Sequence, residues 1–122
     1  MSPFAVSPID EMPQVLHGAV KLAGAHLGVE SFGLQVLDFP AGFADYHAHD
    51  HADDGQEEVY VVLRGSARFE VAGESVPLDP GRMLRVGPGT MRRLEPGPDG
   101  VRLLAIGCTP GRPYERPEWF RP

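Results

Sequence analysis

Cysteine and lysine are almost missing from this chain: Cys108 and Lys21 stand alone among 122 residues. One thiol cannot form an internal disulfide, so the fold must stand on its own core, and a reducing, cytoplasmic setting is expected. No block of basic residues offsets the net charge of -6, which argues against nucleic acid or an anionic membrane as partner. The longest apolar run, Val59 to Leu63, falls far short of the roughly 20 residues of a membrane-crossing helix. The opening residues, Met1-Ser2-Pro3-Phe4-Ala5-Val6-Ser7-Pro8, lack the charged start and apolar stretch of a secretory signal. Long uninterrupted helices are also excluded, because 15 Gly and 13 Pro punctuate the chain every few residues.

What remains reads as short strands and turns. Ser31 to Phe39 alternates loosely, with Gly33, Gln35, Leu37 and Phe39 on one side, and Pro40-Ala41-Gly42 ends it. Glu57 to Arg64 is rich in β-branched and aromatic residues and stops at Gly65. Ala67 to Val71 and Glu74 to Leu78 flank Ala72-Gly73, a hairpin turn. Further strands are expected at Met83 to Val86, Met91 to Glu95 and Val101 to Cys108, with Pro96 to Gly100 as a turn. Gln14 to Val29 suits an amphipathic helix or a strand over Ala19 to Leu27; Gly18, Gly24 and Gly28 favour the strand. The tail from Thr109 to Pro122 carries four prolines, which forbid regular structure. Its Tyr114, Trp119 and Phe120 need cover, on the barrel or across a dimer interface. Such spacing predicts one all-β domain over 1–122, an antiparallel sandwich or barrel with its core at about 19–108.

The chemistry concentrates in His47-Ala48-His49-Asp50-His51 and in Glu57-Glu58 at the head of the next strand. Residues two apart on an extended segment share a face, so the imidazoles line one side. Two histidines with one carboxylate form the ligand set of many Fe, Mn, Ni and Zn sites. A solvated His- and Asp-rich loop stays open as the alternative, since Asp45, Asp50, Asp53 and Asp54 stand alongside. Tyr60 and Val62 share parity with Glu58 and would line the same interior, with Phe69, Met83 and Met91 as further wall candidates.

The chain resembles the cupin superfamily, in the form of a small single-domain member. The first cupin motif, G-x5-H-x-H-x3-4-E-x6-G, matches Gly42, His49, His51, Glu58 and Gly65, with six residues between Gly42 and His49 and six between His51 and Glu58. The second, G-x5-P-x-G-x2-H-x3-N, finds Gly81, Gly87, Gly89, Arg92 and Pro96 at its spacing. The resemblance covers Phe32 to Cys108 and implies a cupin-type double-stranded β-helix, or jelly-roll barrel. It implies a divalent transition metal (Fe, Mn, Ni or Zn) on His49, His51 and Glu58, with His47 as the alternative ligand. Arg92 replaces the fourth ligand, and its protonated guanidinium has no lone pair for a metal. Arg92 and Tyr60 are therefore expected to bind a small organic, anionic ligand, or Arg92 to pair with Glu58. A metal-dependent oxygenase or isomerase and a non-enzymatic binding or sensing barrel both follow, with a homodimer as the expected assembly.

Overall fold

The computed structural model describes residues 2–121. Strands β1 (Gln14–Val15), β2 (Val20–Lys21), β3 (Gly33–Phe39), β4 (Glu57–Val71), β5 (Glu74–Leu78), β6 (Met83–Val86) and β7 (Arg92–Cys108) pair antiparallel. They run in the order β1-β2-β3-β7-β4-β5, and β6 pairs with the first half of β4. Among the described residues no helix is long and apolar enough to cross a membrane.

Two expected breaks are bends instead. Glu57 to Val71 is one strand through Gly65, and Arg92 to Cys108 is one strand through Pro96-Gly97-Pro98. The strands pair along both halves, with register shifts at Val62/Arg64 and Gly65/Ala67. Such bulges turn a ladder without ending it. Gly65 has a φ of 77°, and a Cβ there would lie 2.2 Å from the Gly100 carbonyl oxygen, so only glycine fits the corner. The bends roll the sheet on itself: Tyr60 and Phe69, from opposite halves of β4, meet with ring centroids 4.8 Å apart.

Inside lie Leu37, Phe39, Tyr60, Val62, Phe69, Leu78, Val86, Leu94 and Leu103, each contributing about 1.5–3 kcal/mol by leaving water. Met83 and Met91, read as wall candidates, are instead 72% and 50% exposed, because both fall on the outward parity. The expected strand over Ala19 to Leu27 is also corrected. After Val20–Lys21 the chain turns into a short helix, α1 (Ala23–Leu27), stopped by Gly28 at φ 82°. Gly24 lets this helix lie on β3: a Cβ there would sit 3.1 Å from the Leu34 carbonyl oxygen. With Met12, Ala23 and Leu27 the segment covers Leu34, Val36 and Leu104 on the outer face. The tail is not wholly irregular, since Glu118–Phe120 forms a 3₁₀ turn.

Candidate functional site

Strand parity carries Glu58 and Tyr60 to the inner face of β4, and the register sets Glu58 beside Gly107 and Tyr60 beside Ala105 on β7. Gly33 and Gln35 of β3 continue those two rows. Gly33, Ala105 and Gly107 have little or no side chain, so the rolled sheet encloses space here instead of core. The histidine loop is stitched above it by backbone bonds. His49 and Arg92 exchange both N–H···O bonds (3.0 and 2.9 Å), and His51 N–H donates to the Pro88 carbonyl at 2.7 Å.

His49, His51 and Glu58 thereby converge, each offering one ligand atom within 4.8 Å of the others. His51 Nε2 lies 3.1 Å and His49 Nε2 3.8 Å from Glu58 Oε1. The other ring nitrogens are engaged on the far side. His49 Nδ1 is 3.2 Å from the His47 carbonyl oxygen, and His51 Nδ1 is 3.1 and 3.2 Å from the two Asp54 oxygens. Carbonyl and carboxylate oxygens only accept, so both Nδ1 atoms carry a proton and each Nε2 is left facing Glu58, donating to it when protonated and offering a lone pair when not. Rings also fix the angles: Tyr46 meets His49 edge-on at 5.5 Å, and His49 meets His51 edge-on at 5.2 Å.

Glu58 is held from behind. Tyr60 donates its hydroxyl to Oε1 at 2.7 Å, and Arg92 Nη1 donates to the same oxygen at 3.0 Å. Arg92 is only 1% exposed; its Nη2 donates to the Gly87 carbonyl at 2.9 Å, and its Nε has no partner. Burial alone would raise the Glu58 pKa, but the hydrogen bonds from His49, His51 and Tyr60 outweigh it and hold the carboxyl well below the usual range. The Glu58 hydrogen bond, with Asp54 beyond it, raises the His51 pKa against the effect of burial. Burial pushes the Tyr60 and Tyr46 hydroxyls far up, with the Glu58 charge adding to both, so both stay protonated.

In front of the triad lies a cavity of about 420 Å³. Leu16, Val20, Leu37 and Ala105 form its walls, and the tail closes one side with Tyr114, Trp119 and Phe120. Tyr114 is seated on Gly33, where a Cβ would lie 3.0 Å from its hydroxyl. The tail thus packs back on the barrel in part, though Trp119 remains 61% exposed.

The loop register brings His49 and His51 together with Glu58, while His47 contributes its carbonyl to the arrangement and its side chain to the cavity rim. Arg92 and Tyr60, read as ligand-binding, do not line the cavity; both are buried beneath Glu58 and directed at it. Asp54, read as part of a solvated face, is engaged with His51. Sequence reasoning also passed over Gln35, whose signal was a polar residue on the inward parity of an otherwise apolar strand.

No protein-family model matches the chain, and no curated protein matches it in sequence. By structure it is similar to a cupin protein from Bacteroides fragilis, with a TM-score of 0.73 and 21% identity over 96% of this chain and 93% of that one. It is also similar to the cupin domain of Cnp3 from Schizosaccharomyces pombe, with a TM-score of 0.57 and 21% identity over 65% and 56% of the two chains. A cupin-2 domain protein from Shewanella frigidimarina aligns with a TM-score of 0.51 and 18% identity over 62% and 69%. The rolled antiparallel sheet and these likenesses agree: the chain has the cupin fold.

Proposed function

We propose that this barrel binds one divalent transition metal through His49 Nε2, His51 Nε2 and Glu58, and a small organic ligand in the adjoining cavity. The observation that carries the reading is the orientation of the two imidazoles. Each is fixed by an acceptor on Nδ1, the outer-shell arrangement that prepares a histidine for a metal. Neutral rings so oriented aim lone pairs at a carboxylate, which is favourable only with a cation or a proton between them. Two histidines and a carboxylate suit Fe(II) first, with Mn, Ni and Zn as further candidates. Bound there, the ion would supply Lewis acidity or a site for oxygen chemistry.

The remaining work belongs to the chain. Tyr60 and Arg92 hold Glu58 in one rotamer, Asp54 and the His47 carbonyl hold the rings, and the apolar walls exclude water from the ligand. A metal-dependent oxygenase or an isomerase is the corresponding activity. Among the described residues no lysine or arginine lines the cavity. The only positive charge facing a ligand would thus be the metal's, so a phosphorylated or multiply anionic substrate is disfavoured. A metal-free binding or sensing module is the second reading. It is favoured by one contact, Arg92 on Glu58, which already neutralises the carboxylate.

Metal analysis of purified protein tests the first reading. It should find a transition metal near one per chain in the wild type and almost none in His49→Ala or His51→Ala, with unchanged far-ultraviolet circular dichroism. Full metal in both variants would overturn the ligand set, and none in a wild type exposed to Fe(II), Mn(II), Ni(II) and Zn(II) would leave the second reading.

A further inference from the structure

Gln35 is the polar residue that neither fold nor triad explains. It lies on the inner face of β3, in the row of Ala105 and Tyr60, with Leu37 next along the strand. It is 7% exposed and lines the cavity, and its Oε1 is buried with no hydrogen-bond partner. A buried side-chain amide almost always has a partner, and an orphan is a reason to look for what it binds. Gln35 and Glu58 are separated by β7, which sets their strands about 10 Å apart across the sheet. Between them Ala105 and Gly107 present almost no side chain.

We infer that Gln35 is the recognition group for the end of the ligand remote from the triad, and that this end carries a neutral hydrogen-bonding group, a hydroxyl or a carboxamide, on a hydrophobic body. A charged end finds no counter-ion beside Gln35: its strand neighbours in the lining are Gly33, Leu37, Val20, Ala105 and Gly107, while the carboxylates of the lining are Glu58 of the triad and Asp45 and Asp54 of the loop before β4. A purely apolar end would leave the amide buried and unpaired, which is how a polar group in an apolar pocket rejects an analogue lacking its partner. Leu16, Val20, Leu37 and Phe120 supply the contact for the body. The inference rests on the cavity being a ligand site, as proposed above, and adds the chemical class.

Zinc-loaded protein, in which catechols are not oxidised by the metal, provides the test. Calorimetry would compare 4-(hydroxymethyl)catechol with 4-ethylcatechol, and 4-(2-hydroxyethyl)catechol with 4-propylcatechol, so that the hydroxyl is offered at two reaches. The wild type should prefer the hydroxyl-bearing member of at least one pair by about tenfold. Gln35→Leu should erase or reverse that preference while keeping or raising the melting temperature, because it removes a buried unpaired amide. A merely structural glutamine would lower the melting temperature and leave the preference untouched. Binding of both members with equal affinity in wild type and variant would overturn the role of Gln35 and leave the cavity reading standing. Binding of no catechol to the wild type would overturn both.

Discussion

Arg102 and Arg92 both leave β7 to meet a carboxylate on a neighbouring strand, Asp38 on β3 and Glu58 on β4, yet the surroundings differ. Arg102 grips Asp38 with two parallel bonds, Nε to Oδ1 at 2.8 Å and Nη2 to Oδ2 at 2.7 Å. Lys21 Nζ stands 3.3 Å from Oδ2, and Asp10 closes the cluster on the other side of Arg102. Two cations face two anions on the outer face, and every charge is answered. Arg92 makes a single bond to Glu58, uses another for a backbone carbonyl and leaves Nε unpaired, while the rest of the Glu58 environment is two histidines and a tyrosine. The outer cluster is a closed latch. The inner one is left partly unsatisfied, as expected where polar groups are kept for function and not for stability.

The largest expected effect falls on the inner pair. Arg92→Ala leaves Glu58 buried beside the histidines without its guanidinium, and should cost about 3–5 kcal/mol in denaturant unfolding. Added Zn(II) should restore part of that loss, since a cation on His49, His51 and Glu58 replaces the missing charge. No loss of stability would place the weight of the inner cluster on the histidines.

Asp38→Ala should be milder, about 1.5–3 kcal/mol, because it removes charge-assisted bonds from a partly exposed latch. Metal content should be unchanged, which is the sharpest contrast between the two clusters. The same carboxylate sets a pH dependence. Burial would raise the Asp38 pKa, but Arg102 and Lys21 outweigh it and lower it below the ordinary value. A lowered folded pKa means that the unfolded chain binds the proton more readily. The contribution of Asp38 is therefore present above its unfolded pKa, near 4, and is lost as pH falls through the folded one. Urea titrations between about pH 5 and pH 2 should show a shallower fall in stability for Asp38→Asn than for the wild type.

Tyr60→Phe removes only the 2.7 Å bond to Glu58 Oε1 while keeping the ring against Phe69. It should cost about 0.5–1.5 kcal/mol, with a modest loss of metal affinity as Glu58 gains freedom. Asp10→Asn, at a fully exposed carboxylate, should leave the melting temperature unchanged. A measurable drop there would mean that the latch depends on its exposed end.

Local pattern was legible where chemistry repeats along the strand. His49 and His51 on one face, Glu58 seven residues before Gly65, and the positive-φ turn at Ala72-Gly73 follow from period-two alternation and turn residues alone. The same rules fail at Gly65 and at Pro96-Gly97-Pro98, which look like ends of strands and are corners. Whether a glycine stops a ladder or bends it depends on the partner strand, and here Gly100 on β7 occupies the place a Cβ would need. Gly24 likewise argues against a helix in isolation, yet its missing side chain is what lets α1 lie on β3.

By itself, then, the order of residues determined which side chains share a face, the all-β character and the candidate ligands His47, His49, His51 and Glu58, because these depend on neighbours a few positions away. Only the tertiary structure decided that Arg92 lies beneath Glu58 instead of facing a ligand, that Asp54 orients His51, that the tail walls the cavity and that Gln35 is left without a partner. Asp54 reaches His51 across three positions through the turn between them, whereas the Arg92 and tail contacts join residues distant in sequence, 34 positions apart for Arg92 and Glu58. Such distances close only when β4 and β7 bend together and bring both halves of the sheet around one interior.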